Sequence, residues 1–476
     1  MITSTKAHPT PGANEPSLAE RFAPFSHRMH EEGLHPLVID TFRHYYGFLV
    51  AGHTGFVSEA SIRPVEMLPD VEALPDSLAT LGHEAMGRTV VIKLNGGLGT
   101  SMGLERAKSL LVVREDLTFL DIIASQAQAS GAHLLFMDSF STQADTLEAL
   151  KPYAHLWGDL PIDFVQNKVP KVLRSDLSPA VWPVDPSLEW CPPGHGDIYT
   201  ALLTSGMLDT LLAAGYRYAF VSNADNLGAV LDASLLGYFV RHRLPFMMEV
   251  ADRTAADRKG GHLAKRVDGQ LILRESAQCL PEDENAFQDI SRHRFFNTNN
   301  LWLDLQILKN TMKARDNVLG LPMIRNTKLL DPRNRNSPPV YQLETAMGAA
   351  IGVFDGAVAM RVPRTRFTPV KTTGDLLALR SDAYVLTADY CIVPNPDRRL
   401  PAPPLIDLDT HFYALIDDLA ARFPYGPPSL VECTSLVVRG DIRFGRDVRI
   451  TGQVRLANNS PQPLEIADGM VITGSC

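Results

Sequence analysis

The stretch "VVIKLNGGLGTSMGLERAKSLLVVRE", Val90–Glu115, sets a short β-branched run directly against four glycines and two lysines. Glycine accepts φ > 0 and lets main-chain N–H groups approach a ligand with no Cβ in the way, so the pattern points to a strand that empties into an anion-binding loop. Neither standard phosphate motif is present. Gly97 and Gly99 give GxG, but Gly103 falls one place late for the dinucleotide fingerprint. A Walker loop needs glycines where Met102 and Ala107 stand, although Lys108 and Ser109 fill its K-[ST] slot. Lys93, Arg106 and Lys108 are the cations at hand, and a tight structural turn is the alternative reading.

Outward from this loop, from about Arg88 onward, short β-rich runs alternate with helical ones, as in a mostly parallel sheet covered by helices. The expected strands are 89–94, 133–137, 162–166, 218–223 and 245–250, with helices over 118–130, 142–150, 197–214 and 227–243. Most of these strands end in a loop carrying Gly, Asn, Asp or Gln, where open α/β sheets bind ligands. Ahead of them, apolar residues at helical spacing (Phe22, Phe25, Met29, then Leu34, Val38, Phe42, Tyr46) predict a helical preface, following a disordered start over about the first 17 residues. The proline-rich window around 392–405 reads as a linker. After it the period becomes six: Leu436, Ile442, Val448 and Val454 form one column, and Val438, Phe444, Ile450 and Leu456 another, as in a parallel β-helix rather than two hairpins. Short solenoids need a cap or a partner, so this tail is a candidate for homo-oligomerisation. The expected domains are 1–84, 85–391 and 392–476.

Composition excludes several function classes. The 476 residues carry a formal net charge of −9, which argues against a nucleic-acid surface. No apolar run reaches the length of a membrane span, the amino-terminal segment lacks the design of a signal peptide, and the five scattered cysteines suit a reducing cytoplasm.

Five further segments are candidates for the site. In "WCPPGHGDIYTALL" (190–203) two glycines bare the backbone around His195, and Asp197 reads as a helix cap. In "FVSNADNLGAV" (220–230) an apolar strand runs into Asn223, Asp225 and Asn226; a carboxylate at such a tip suits a divalent metal, and Asn226 suits the cap of the next helix, an Asx turn being the alternative for both. "FFNTNNLWL" crowds Asn297, Asn299 and Asn300 between aromatics, as either a turn or a set of sugar-reading amides. "YQLETAMGAAI" places Glu344 on what reads as an apolar helix. "RFTPVKTTGDLL" puts Lys371 before a helix capped at Thr372 or Thr373, as either a cleft cation or a solvated lysine.

In this order, KLNGGLGTSMG with AKS, PPGHGDIY, SNADNLGA, NTNNLW, QLETAMGAAI and PVKTT resemble the eukaryotic-type UTP–glucose-1-phosphate uridylyltransferases, the UDP-glucose pyrophosphorylases, from about residue 85 to the end. The resemblance implies a Rossmann-like nucleotidyltransferase domain with a mixed, mostly parallel sheet, a left-handed parallel β-helix as tail, and Mg2+-dependent conversion of UTP and glucose 1-phosphate into UDP-glucose and pyrophosphate. It implies that Leu94, Asn95, Gly96 and Gly97 hold the uracil and the substrate, that Gln166 and Gly194 complete the uridine site, and that Met137 lines the base. His195 falls on the sugar-phosphate side, Asn223, Ala224 and Asp225 near ribose and metal, and Asn297 and Asn299 at the hexose, with Glu344 in a matching motif. Lys108 and Lys371 match the lysines that grip phosphates, and Asp225 the magnesium ligand. Ala107 and Cys191 depart from the family pattern, which has proline and an aromatic there. Two rivals stand beside this reading: a broader UDP-sugar pyrophosphorylase taking galactose 1-phosphate or an N-acetylhexosamine phosphate, and a non-catalytic UDP-glucose sensor.

Overall fold

The computed structural model describes residues 16–400 and 402–475; the start expected to be disordered lies almost wholly outside them. Ten strands form the central sheet: β1 (Ile62–Arg63), β2 (Thr89–Asn95), β3 (His133–Asp138), β4 (Asp163–Val165), β5 (Tyr218–Asn223), β6 (Phe246–Asp252), β7 (His262–Arg266), β8 (Leu271–Arg274), β9 (Phe295–Asp304) and β10 (Val358–Arg361). The spatial order is β1-β7-β9-β5-β2-β3-β4, with β8 on β7, and β6 between β9 and β10. The sheet is mixed: β5, β2, β3 and β4 run parallel, as do β6 and β10, while β9 is antiparallel to both β5 and β6. Residues alternate between two cores. Val90 and Ile92 enter the core that holds Phe246 and Leu303, and Val91 enters the one that holds Phe220 and Trp302.

All five expected strands are present, and helices Phe119–Ser130 and Gln143–Ala149 lie where the period placed them. The expected helix 197–214 is two, Ile198–Thr204 and Met207–Ala213, because Ser205–Gly206 interrupts it with Gly206 at φ 73°. Helix Ala233–Arg241 starts six residues later than expected; its cap is Asp232, whose carboxylate accepts from the Leu235 N–H at 2.9 Å, and not Asn226. This helix packs on Ser77–Met86 through two facing glycines: a Cβ on Gly82 would overlap Ala233 O, and one on Gly237 would overlap Leu78 O.

The helical preface is Leu18–Glu31 and Pro36–Val50, which bury Phe22, Phe25, Met29, Val38, Phe42 and Tyr46 as expected. At the other end the six-residue columns are buried and the strands pair in parallel, Leu436 beside Val454, Val438 beside Leu456, and Ile450 beside Ile472. The supposed linker is partly structured: Ile392–Pro394 pairs with Tyr384–Leu386, and Leu405–Leu408 joins the carboxyl-terminal sheet. One hydrophobic cluster runs from Phe220 and Trp302 through Leu376 and Tyr413 to Leu436 and Ile472.

Candidate active site

Above the carboxyl ends of β2, β3, β4 and β5 lies a cleft of about 310 Å3. It is lined by Leu94, Asn95, Gly96, Gly97, Lys108, Met137, Gln166, Gly194, His195, Asn223, Ala224 and Asp225, together with Ser109 and Pro192, which were not among the expected site residues. Leu94–Gly97, Met137, Gln166 and Asn223–Asp225 are at the tips of these strands or just after them, because parallel strands deliver their carboxyl ends to one side of the sheet. Lys108 and Ser109 come instead from a 3-10 turn further along the glycine loop, and Pro192, Gly194 and His195 follow the short strand Trp190–Cys191 outside the sheet. Gly96 makes room for the Gln166 amide, whose Nε2 would stand 3.1 Å from an added Cβ. Gly194, at φ 82°, packs against Thr345 O and N. The Asn95 side chain turns away from the cleft and donates to Asp138 Oδ1 (2.9 Å) and Thr146 Oγ1 (2.8 Å), so this residue offers the cleft its backbone. Burial pushes the Asp138 carboxyl up to about 7.

Of the three cations beside the glycine loop only Lys108 serves the cleft. Lys93 points into the opposite layer, where it donates to Ser222 Oγ (2.8 Å) and Ala229 O (2.7 Å), and burial lowers its pKa to about 7. Arg106 pairs with Asp145 at 3.1 Å. Lys108 Nζ donates to Asp225 Oδ2 at 2.7 Å and to Val370 O. Asp225 Oδ1 and Ser109 Oγ are buried with no hydrogen-bond partner among the described residues, so both have capacity left for a ligand.

His195 Nδ1 accepts the Met347 backbone N–H at 3.0 Å. A backbone N–H can only donate, so the neutral ring carries its proton on Nε2. Burial, and then the Lys371 charge, lower its pKa to about 4. The residue is therefore a neutral donor at physiological pH. Asp197 stands at the N-cap position of helix Ile198–Thr204, as expected, but makes no capping hydrogen bond; its carboxylate instead receives the Asn167 N–H (2.6 Å) and side-chain amide, tying the Gln166 loop to the His195 turn.

Four expected residues do not line this cleft. Lys371 is exposed and faces an adjoining cavity of about 450 Å3 with Lys259, Gly260 and Phe296, but its charge depresses both His195 and Glu275. Asn297 and Asn299 sit on a β-bulge, not a turn: pairing jumps from Glu249–Asn300 to Val250–Asn297, Asn299 takes φ 60°, and Asn297 Nδ2 donates to Asn299 Oδ1 at 2.8 Å. Asn297 Nδ2 lies beside Gly348, next to the Met347 that holds His195. Glu344 is on a strand, Pro339–Thr345, not a helix; the run PVYQLET pairs with Met323–Leu329, and only the AMGAA that follows turns. Its Cβ backs onto Gly194.

Glu275 was missed. Its carboxylate packs on Gly261, and burial raises it to about 7 against the pull of Lys371. The paired glycines Gly260–Gly261 were the sequence signal of that close approach.

A family model described as UTP–glucose-1-phosphate uridylyltransferase matches residues 39–451. The potato (Solanum tuberosum) UTP–glucose-1-phosphate uridylyltransferase is 41% identical over 410 residues, covering 83% of this chain and 84% of that protein. The barley (Hordeum vulgare) enzyme of the same name is 40% identical, covering 86% and 83%. Among solved structures, a mutant UDP-glucose pyrophosphorylase from Leishmania major in complex with UDP-glucose superposes with a TM-score of 0.90 at 43% identity, over 97% of this chain and 100% of that one. A UDP-glucose phosphorylase from Trypanosoma brucei gives 0.86 at 45%, over 95% and 98%. Sequence and fold thus agree, and the chain belongs to the UTP–glucose-1-phosphate uridylyltransferase family.

Proposed function

We propose that this chain catalyses the reversible reaction of UTP with glucose 1-phosphate to give UDP-glucose and pyrophosphate. The observation that carries the reading is the pairing of Lys108 with Asp225 in a cleft whose loops match the family's nucleotide and sugar-phosphate motifs. A phosphate oxygen of glucose 1-phosphate attacks the α-phosphorus of UTP in line and pyrophosphate leaves. That oxygen is already ionised at neutral pH, so no general base is required. The protein's task is to bring two polyanions together. Lys108 and Lys371 supply positive charge, and the Gly96–Gly97 backbone, Met137, Gln166 and Gly194 hold the uridine. Asn297 and Asn299 meet the hexose hydroxyls, and Glu344 supports the Gly194 turn from behind.

Asp225 suits Mg2+. Its Oδ1 is buried and unpartnered, and among the described residues no group of three or more His, Cys, Asp or Glu forms a closed cage. One carboxylate with open positions fits an ion that keeps waters and substrate phosphates as its other ligands. When bound, the ion neutralises charge on the reacting phosphates.

The His195 Nε2–H donates to a phosphate oxygen. Removing that donor with His195→Leu is expected to lower kcat/KM for glucose 1-phosphate by about tenfold to a hundredfold, the range for a hydrogen bond to a charged group, while His195→Gln retains part of the rate. Because the ring stays neutral down to about pH 4, the pH–rate profile of the wild type should show no histidine ionisation between pH 5.5 and 8 that His195→Gln abolishes.

The decisive assay mixes UTP, glucose 1-phosphate and Mg2+ and follows pyrophosphate and UDP-glucose; a folded chain that forms neither overturns the function. Equal kcat/KM for galactose 1-phosphate overturns glucose selectivity. The carboxyl-terminal coils are proposed to be a left-handed parallel β-helix through whose outer strand two copies associate; a solution mass of one chain by light scattering overturns that association. No helix among the described residues is long and apolar enough to cross a membrane, and Cys191, Cys279, Cys391 and Cys433 are free, which supports a cytoplasmic site of action.

A further inference from the structure

We propose that Asn226, backed by the buried Glu249–Arg366 pair, is a positioning residue that sets the spacing between Asp225 and Lys371. This rests on the roles given to those two residues above. Lys371 is exposed and is delivered by the segment 366–371, which belongs to no strand of the sheet. Something must fix that segment relative to the tip of β5, and the Asn226 side chain lies between them. It is 1% exposed and fully used: Nδ2 donates to Arg366 O (3.1 Å) and Asn300 Oδ1 (3.3 Å), and Oδ1 accepts from the Thr368 N–H (2.9 Å). The neighbouring Val370 N–H donates to Asp225 O at 3.1 Å, and Val370 O receives Lys108.

Behind Asn226 the arrangement is rigid. Arg366 clamps Glu249 through Nε and Nη2, both at 2.8 Å, and reaches Val230 O at 2.9 Å. Glu249 is fully buried and also receives the Asn300 amide (3.1 Å) and the Trp302 indole N–H (2.9 Å), so the four donors saturate its carboxylate. Gly228 completes the seam, since a Cβ there would overlap Thr365 O. The loop carrying the acid and the segment carrying the lysine are thus held to one buried frame, and a displacement of about 1 Å between such groups is enough to cost a large factor in rate.

The test is a double-mutant cycle on the full chain. Asn226→Ala should lower kcat by about tenfold or more, with UDP-glucose still binding one per chain by calorimetry. In a Lys371→Ala background the same change should cost less than about twofold, because the residue acts through Lys371. Gly228→Ala, which pushes on Thr365 from the other side, should repeat the non-additivity and stands in should Asn226→Ala not fold. The inference is overturned by a kcat within about twofold of wild type in the single variant, or by an undiminished loss in the Lys371→Ala background, the result expected of a merely structural asparagine. A wild type that forms no UDP-glucose would instead remove the proposed function itself.

Discussion

Asp225→Ala loses at least about a hundredfold in kcat, roughly 3 kcal/mol of transition-state stabilisation, while its thermal midpoint stays close to that of the wild type. The acid stands at the tip of β5 with one oxygen on Lys108 and the other buried without a partner, and its backbone, which takes the Val370 N–H, survives the substitution. What disappears is the only carboxylate among the described residues that line the cleft, and with it the anchor proposed for the ion. Asp225→Asn separates shape from charge: it keeps the side chain's size, so a rate as low as that of the alanine variant assigns the loss to charge. Initial rates of pyrophosphate release set beside melting curves provide the check. Activity and midpoint collapsing together would make Asp225 a structural acid.

Lys371→Ala is expected to lose a similar factor, about a hundredfold in kcat, with no loss of stability. Among the described residues its ammonium has no ion-pair or hydrogen-bond partner, so nothing in the fold depends on it, but its field reaches His195 and Glu275. That field provides a second readout. Lys371 holds both pKa values down, so its removal raises both, moving His195 back toward 6.5 and Glu275 further above its ordinary value. Following the histidine by NMR across pH tests the geometry without turnover. An unmoved titration together with unchanged kcat would return Lys371 to the solvated surface.

The parts of this protein that could be read from its sequence are those where composition is dictated by the backbone. The runs Val90–Ile92 and Ala219–Val221 are continuously apolar because both faces of the sheet are covered, and the loops behind their strands show themselves through glycines and short polar residues. What could not be read depends on direction. Lys93 lies one residue before the cleft-lining Leu94, but alternation along β2 sends it into the opposite layer. Glu344 looked helical because the small residues after it do turn, whereas strand pairing with Met323–Leu329 claims the acid itself. The NTNN run was open between turn and ligand site because a bulge has no local signature; it exists where β9 slips against β6. The Glu249–Arg366 frame is a long-range pairing that no spacing along the chain marks, and Glu275 is signalled only indirectly, by the bare backbone of Gly260–Gly261 on which it packs.

The hydrophobic cluster that joins Phe220 and Trp302 to Leu436 and Ile472 makes the carboxyl-terminal coils and the reaction cleft parts of one cooperative unfolding unit. A cavity opened at Leu436 therefore lowers the free energy holding the strand tips of the cleft in place, so lesions in the tail should surface as lost catalyst at physiological temperature although no described residue of the tail lines the cleft.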